Sequence, residues 1–129
     1  MDHIADIIAR IEAQCPDIET VEEAWFAAPL EDLGAELPAA MIYLQKEDPL
    51  GPANTLQPKQ PTRWTYGVWL VCNRDDFRAQ RTALSNALYS YQPTEHTNPM
   101  EYQGGASQDI KGDLVWWLES WSYDTHKRG

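Results

Sequence analysis

The sequence predicts an α+β fold in which two helices pack on one mainly antiparallel sheet. Two segments have apolar residues at helical spacing, several others are rich in β-branched and aromatic residues, and a Gly-Asp pair separates the last two strands. With 129 residues, of which 43% are hydrophobic, the chain is long enough to form one core. We therefore expect a single domain over residues 1–129.

Two helices are predicted from apolar stripes. The first ends before Pro16, since a proline restrains the residue that precedes it. Its stripe consists of Ile4, Ile7, Ile8 and Ile11. The second begins after Asn73 or Asp75, either of which can cap it, and stops at Gln92 and Pro93. Its inner stripe consists of Phe77, Leu84, Leu88 and Tyr91.

Four further segments are assigned in the first half of the chain and its centre. Residues Ala39–Glu47 and Arg63–Cys72 are predicted as strands, and the second is apolar on both faces, which favours a central position. The segment Ile18–Trp25 fits either a strand or an irregular edge. Leucines at spacings of three and four favour a short helix or helical turn over Leu30–Leu37.

The C-terminal part is predicted as a meander of strands. Met100–Gln103 leads into a turn at Gly104-Gly105, and a strand then continues to Lys111. A second tight turn at Gly112-Asp113 precedes the last strand, Leu114–Tyr123. Residues 124–129 are expected to form a flexible tail.

Residues 48–62 form a Pro-rich connection between the two predicted strands. Its prolines stand at positions 49, 52, 58 and 61, and it lacks apolar periodicity, so it fits neither a strand nor a helix. Connections of this length are usually functional or disordered. We expect a hairpin tip or extended arm that contacts a partner; an idle flexible loop is the alternative.

The net charge of −10 comes from the first half of the chain. Residues 1–50 contain twelve acidic residues against Arg10 and Lys46, whereas residues 51–129 contain eight acidic and eight basic residues. Nucleic-acid affinity depends mainly on Lys and Arg, so we expect no groove that grips DNA. The acidic face is either a solubilising surface or a functional one.

Chemistry and targeting signals are not found in the sequence. None of the three histidines is placed to act as a base, no metal-ligand spacing occurs and no phosphate-binding glycine motif is present, so we expect no catalysis, metal or cofactor. Cys15 and Cys72 are expected to be buried free thiols. No apolar run approaches the ~20 residues of a membrane span, and no signal peptide is recognised, so we expect a soluble protein made in the cytoplasm.

The aromatic residues of the last strand are the strongest functional signal. Alternation places Trp117, Trp121 and Tyr123 on one face and Leu114, Trp116 and Leu118 on the other. If helices cover one face, the aromatic side chains on the other are exposed and mark an interface. The alternative is that the long helix and the loop bury them.

The segment Ala87–Asp124 resembles the tail terminator proteins of long-tailed bacteriophages. A helix leaves through Tyr91-Gln92-Pro93, a hairpin follows around Gly104-Gly105, and the last strand carries the pair Trp116-Trp117. The resemblance implies a non-enzymatic virion protein with a small α+β domain. It also implies a homohexameric ring that caps the tail tube, meets a head-tail connector or neck protein, and lets DNA pass without specific binding.

Two sets of residues are assigned to these expected contacts. The subunit or partner interface is expected at Trp64, Trp69, Trp117, Trp121, Tyr123, Pro49, Leu50, Leu56 and Pro58. The acidic lining of the bore is expected at Glu19, Glu22, Glu23, Glu31 and Asp32. Two alternatives remain: another neck or tail-completion protein, and a carbohydrate-binding module that stacks sugars on Trp69, Trp117 and Trp121.

Overall fold

A computed structural model describes residues 2–50 and 61–125 of the chain. Two helices lie on one five-stranded sheet with the strand order β1-β2-β3-β5-β4. The strand pairs are antiparallel except β1 with β2, which is parallel. This arrangement confirms the predicted α+β class. The elements are α1 (Ile4–Gln14), β1 (Thr20–Glu23), β2 (Ala39–Pro49), β3 (Thr62–Asn73), α2 (Arg74–Leu88), β4 (Glu101–Lys111) and β5 (Leu114–Asp124).

The first helix buries the predicted isoleucine stripe. Ile7 and Ile11 are fully buried, and Ile4 and Ile8 pack partly buried against the same cluster. The helix ends at Gln14, and the backbone N–H of Cys15 closes its last turn by donating to Ile11. The helix therefore docks through its apolar side, as its spacing predicts.

Strand β3 is central, as its composition predicts. It pairs with β2 on one side and β5 on the other, and its side chains from Tyr66 to Cys72 are buried on both faces. The helices cover one face, α1 beside β1 and β2, and α2 over β3 and β5. We call this the helix face.

The opposite face of the sheet has a second core under an irregular segment. Trp69 and Trp116 are buried there with Ala24, Met41 and Val71. Phe26, Leu30, Leu33 and Leu37 of the segment 24–38 pack against them. We call this the segment face. The sheet is thus covered on both sides, and no second chain is needed to bury its aromatic residues.

The predicted short helix over Leu30–Leu37 is wrong. The segment has no helical hydrogen-bonded turn, and Gly34 adopts the left-handed conformation with φ 67°. The leucine spacing has another cause: each leucine packs separately against the segment face. Ile18–Trp25, left open between strand and irregular edge, forms the short strand β1 and then leaves the sheet.

The predicted turn at Gly104-Gly105 is also wrong. Strand β4 runs without interruption through both glycines, and its register with β5 shifts between Tyr102 and Gly104. Gly104 has φ 122°, a conformation that suits glycine, so the pair marks a β-bulge. The predicted turn at Gly112-Asp113 is confirmed between β4 and β5.

Strands β2, β3 and β5 extend into the segments that were predicted as the Pro-rich connection and the tail. Strand β2 extends to Pro49 and pairs there with Thr62, and the N–H of Leu50 donates to the carbonyl of Pro61 at 2.8 Å. Residues 51–60 lie outside the described residues. At the C-terminus, Asp124 belongs to β5 and Thr125 forms a bridge with Thr97, so the flexible tail predicted from residue 124 is wrong at these two positions. The rest of the predicted tail, residues 126–129, lies outside the described residues.

Candidate assembly surfaces

The aromatic residues predicted to form an exposed interface are mostly buried within the chain. Trp69 and Trp121 are 0% exposed, Tyr123 is 1% exposed and Trp64 is 9% exposed. Trp117 is half-buried against the helix-face core. The expectation of an exposed aromatic face is therefore wrong, because the helices cover the face with Trp121 and Tyr123, and the segment 24–38 covers Trp69 on the opposite face. The sugar-stacking alternative also loses its platform, since fully buried rings offer no surface to a ligand.

On the helix face, the phenols of Tyr66 and Tyr123 fix the start of α1. Their hydroxyl oxygens lie 2.8 Å apart, and the backbone N–H of His3 lies within hydrogen-bonding distance of both. The hydroxyl of Tyr66 donates to Asp2 at 2.7 Å, which leaves Tyr123 as the donor between the two phenols. Burial raises the pKa of Tyr123 to about 12. The two hydroxyl groups have a structural role, because they pair with the backbone N–H of His3 at the start of the helix.

Trp117 lies between the sheet and α2. The guanidinium of Arg81 stands over its ring at 4.8 Å from the ring centre, and Phe77 meets it edge-on at 5.4 Å. The ring also occupies the space above Gly105, where an added Cβ would lie 2.5 Å from Trp117 Cζ2. The paired glycines and Trp117 therefore belong to one packing arrangement, and the bulge brings the backbone close to the ring.

Glu119 is a buried carboxylate next to this arrangement. It is 1% exposed, and neither of its oxygens has a hydrogen-bond partner among the described residues. Burial raises its pKa to about 7, although the charge of Arg81 and the nearby indoles of Trp121 and Trp117 act in the opposite direction. Those indole N–H groups lie close to the carboxylate without the geometry of a hydrogen bond. A charged Glu119 is therefore unfavourable in the folded chain.

The remaining predicted interface residues lie at or beyond the end of the β2–β3 hairpin. Pro49 is exposed and Leu50 is half-buried, while Leu56 and Pro58 fall outside the described residues. The strand end is held by the antiparallel pair of Pro49 with Thr62. An interface role for this hairpin end stays a prediction.

The predicted bore residues lie on β1 and in its flanking segments. Glu23 is half-buried and the other four carboxylates are exposed: Glu19, Glu22, Glu31 and Asp32. Glu22 lies level with Met41, whose side chain belongs to the segment face. Exposed carboxylates therefore lie both beside β1, at one lateral edge of the sheet, and on the segment 24–38 over the segment face, and their position relative to a bore stays a prediction.

Sequence reasoning missed an apolar groove at the same edge. Trp25 is 86% exposed and Leu44 is 37% exposed. Both line a groove of about 330 Å³ together with Phe26, Tyr43 and Ala27. The groove lies where β1 ends and the chain that follows it no longer runs beside β2. Its only early signal is Trp25 in an acidic stretch, which does not distinguish an exposed indole from a buried one.

The other lateral edge of the sheet also has exposed apolar side chains. Tyr102 is 37% exposed and Ile110 is 56% exposed, and both belong to β4. Nearly all side chains of β4 are accessible, because α2 packs on β3 and β5 and stops short of this strand. Tyr89, 68% exposed, lies just after α2 and lines a second depression with Tyr102.

Residues 2–50 and 61–125 contain neither a candidate metal site nor a candidate membrane-spanning helix. No group of three or more His, Cys, Asp or Glu side chains is placed to hold a metal ion in these ranges. Within them, neither helix is long and apolar enough to span a bilayer. Cys15 and Cys72 are both buried and free, as predicted, and burial raises the pKa of each thiol.

A five-stranded sheet with two helices on one face and accessible lateral edges defines a small α+β domain. The fold is similar to a chain in a structure titled "Virion of native gene transfer agent (GTA) particle", with a TM-score of 0.60 and 11% identity. The match covers 95% of this chain and 92% of that chain. No curated protein sequence matches significantly.

The family described as "Phage tail terminator protein" matches residues 1–128. The chain therefore belongs to the phage tail terminator family, which confirms the resemblance noted in the sequence. It is a structural protein of the phage tail.

Proposed function

We propose that this chain forms a homohexameric ring that caps the phage tail tube and joins it to the head-side connector or neck protein. The observation that carries the proposal is the family match over residues 1–128. The fold match to a chain of a virion particle is consistent with it. The chain is made in the host cytoplasm and becomes part of the virion, where it contacts the tube protein on one side and the connector on the other.

The exposed acidic residues beside β1 and on the segment 24–38 support a bore through which DNA passes without binding. Glu31 and Asp32 are exposed on the segment that covers the face opposite the helices, and Glu19 and Glu22 are exposed beside it. If this side of each subunit faces the bore, the surface repels the phosphates of DNA. A ring whose bore is lined mainly by Lys and Arg, or by neutral residues, contradicts this part of the proposal.

The capping role is tested with tail tubes assembled from purified tube protein. With the wild-type chain present, we expect a ring at one end of each tube, an arrest of elongation and efficient joining to purified heads. Tubes that elongate equally with and without the chain, and that bear no ring, contradict capping. Joining to heads without arrest of the tube identifies a neck or tail-completion role instead.

A further inference from the structure

The exposed large apolar side chains of the sheet lie at its two lateral edges. Trp25 and Leu44 stand at the β1–β2 edge, and Tyr102 and Ile110 stand on β4 at the opposite edge. The middle of the sheet is covered on both faces by the helices and by the segment 24–38. Apolar surface left open at two separate edges marks two places where a partner can bind.

The β1–β2 edge offers both a groove and free backbone. Strand β1 pairs with β2 only as far as Ile42, and the N–H of Ala24 adds one hydrogen bond to the carbonyl of Ile42. Beyond Ile42, β2 continues to Pro49 with no strand beside it on this side among the described residues. Strand edges of this kind bind an added strand through backbone hydrogen bonds, and a neighbouring groove accepts its side chains.

The β4 edge has free backbone and exposed apolar side chains that can match those of the β1–β2 edge. It is an 11-residue strand whose outer side has no strand partner in the described ranges. Tyr102 and Ile110 lie level with Trp121 and Val115 of β5, on the helix face. Leu44 lies level with Tyr66, on the same face. If β4 adds to β2 in one sheet, the apolar side chains of the two edges therefore meet on one side.

The charge distribution favours contact between unlike edges. Residues 1–50, which supply the β1–β2 edge, contain twelve acidic and two basic residues, whereas residues 51–129 contain eight of each. Two β1–β2 edges brought together would repel each other. The β4 edge has exposed bases as well as acids, since Lys111 stands on the strand and Arg74 lies 3.5 Å from Asp113 in the turn that follows it. An acidic edge can approach such a mixed edge without that repulsion.

We propose that copies of this chain join head to tail, with the outer edge of β4 of one copy adding to the free part of β2 of the next. The side chain of Ile110 on β4 enters the groove beside Trp25 and Leu44. Such a contact is heterologous, and a ring forms when its rotation closes. The proposal rests on the ring in the proposed function and assigns the surfaces that build it. It leaves the segment face, with Glu31 and Asp32, free to line a bore.

Two single variants test the contact by complementation. Leu44→Glu places a negative charge in the groove, and Ile110→Lys places a positive charge on β4. Each alone should raise the dissociation constant for self-association by about tenfold or more, since a charge replaces a buried apolar contact. An equal mixture of the two should restore assembly. In alternating copies, the introduced carboxylate faces the introduced ammonium at one contact, and native residues face each other at the next.

Controls separate this effect from misfolding and from charge alone. Both substituted positions are exposed, and circular dichroism of each variant should match the wild type. Ala13→Glu on α1 and Thr82→Lys on α2 change the same charges at exposed sites away from both edges. These control variants should assemble like the wild type. The measurement is solution mass by light scattering over a concentration series, in the absence and presence of tail tubes.

The outcomes distinguish failure of the head-to-tail contact from failure of the proposed ring. Weakened single variants and a restored mixture support the head-to-tail contact. If the single variants assemble normally, or if the mixture stays as weak as they are, the contact is wrong while the ring can still stand. A wild-type chain that remains monomeric at all concentrations and does not bind tubes contradicts both the contact and the proposed function.

Discussion

The hydroxyl oxygens of Tyr66 and Tyr123 lie 2.8 Å apart on neighbouring strands, and both lie within hydrogen-bonding distance of the backbone N–H of His3, just before α1. The two rings stack at an interplanar angle of 23°, with their centres 5.7 Å apart. The pair therefore ties the start of α1 to the centre of the sheet. Loss of either hydroxyl leaves buried polar groups with fewer partners.

Removing one of these hydroxyls should destabilise the fold. We expect Tyr66→Phe and Tyr123→Phe each to lower the free energy of unfolding by about 1 to 3 kcal/mol, and the double variant to cost less than the sum because the groups are coupled. Urea unfolding followed by circular dichroism measures the change. Tyr89→Phe, at an exposed position, is the control and should be within about 0.5 kcal/mol of the wild type. Neutral single variants at 66 and 123 would show that the network contributes nothing.

Glu119 should make stability depend on pH. Its folded pKa of about 7 is above its ordinary value of 4.5, so the stability it provides is complete below pH 4.5 and is lost as the pH rises through 7. Glu119→Gln should remove this dependence. At pH 8 we expect the variant to be more stable than the wild type by up to about 3 kcal/mol, and at pH 4 the two should agree.

The measurement for Glu119 is the difference in free energy of unfolding between the two proteins from pH 4 to pH 8. Taking the difference cancels the titration of the other acidic groups. The groups that face Glu119 are Arg81 from α2 and the indoles of Trp117 and Trp121 on its own strand. A difference that does not change with pH would mean that the pKa of Glu119 is the same in the folded and unfolded chains.

Two tryptophans of opposite exposure should separate folding from assembly. Trp121 is 0% exposed, so Trp121→Ala should lower the free energy of unfolding by about 3 to 5 kcal/mol. Trp25 is 86% exposed, so Trp25→Ala should leave the free energy of unfolding nearly unchanged and weaken self-association. Urea unfolding and solution mass measure the two effects. A strongly destabilised Trp25→Ala variant would contradict the open position of this side chain.

The Pro-rich connection should matter for assembly and little for folding. The N–H of Leu50 donates to the carbonyl of Pro61 at 2.8 Å, so the ends of residues 51–60 are close enough for a short turn to join them. Replacing residues 51–60 by Asn-Gly should preserve the circular dichroism spectrum and the urea midpoint. If the connection contacts a partner, the same variant assembles less well or binds tubes less tightly. Unchanged assembly would refute a partner role for the connection.

The elements predicted correctly are those whose local pattern matches their burial. The isoleucine stripe of α1 predicts which side of the helix packs in the core, and the two apolar faces of β3 predict that this strand is covered on both sides. The alternation in β5 separates Trp117, Trp121 and Tyr123 from Trp116, as the two cores do. Each of these features can be predicted from residues that are close together in the sequence.

The predictions that failed depend on contacts between distant parts of the chain. Leucines at helical spacing in the segment 24–38 pack over Trp69 and Trp116, which lie far away in sequence. Gly104-Gly105 has the composition of a turn, yet it forms a bulge where Trp117 meets the backbone. The exposure of Trp117, Trp121 and Tyr123 depended on which face of β5 the helices cover, and they cover the face that carries these side chains. The open groove beside Trp25 likewise arises from where β1 leaves β2.

The central claim is that this tail terminator chain works as a closed ring on the tail tube. The most direct measurement is the solution mass of the purified chain by light scattering over a concentration series, repeated with purified tail tubes. The account predicts a species near six times the chain mass of 14.7 kDa, formed by the chain alone or on the tube. A chain that stays at 14.7 kDa throughout the series and does not associate with tubes would contradict it.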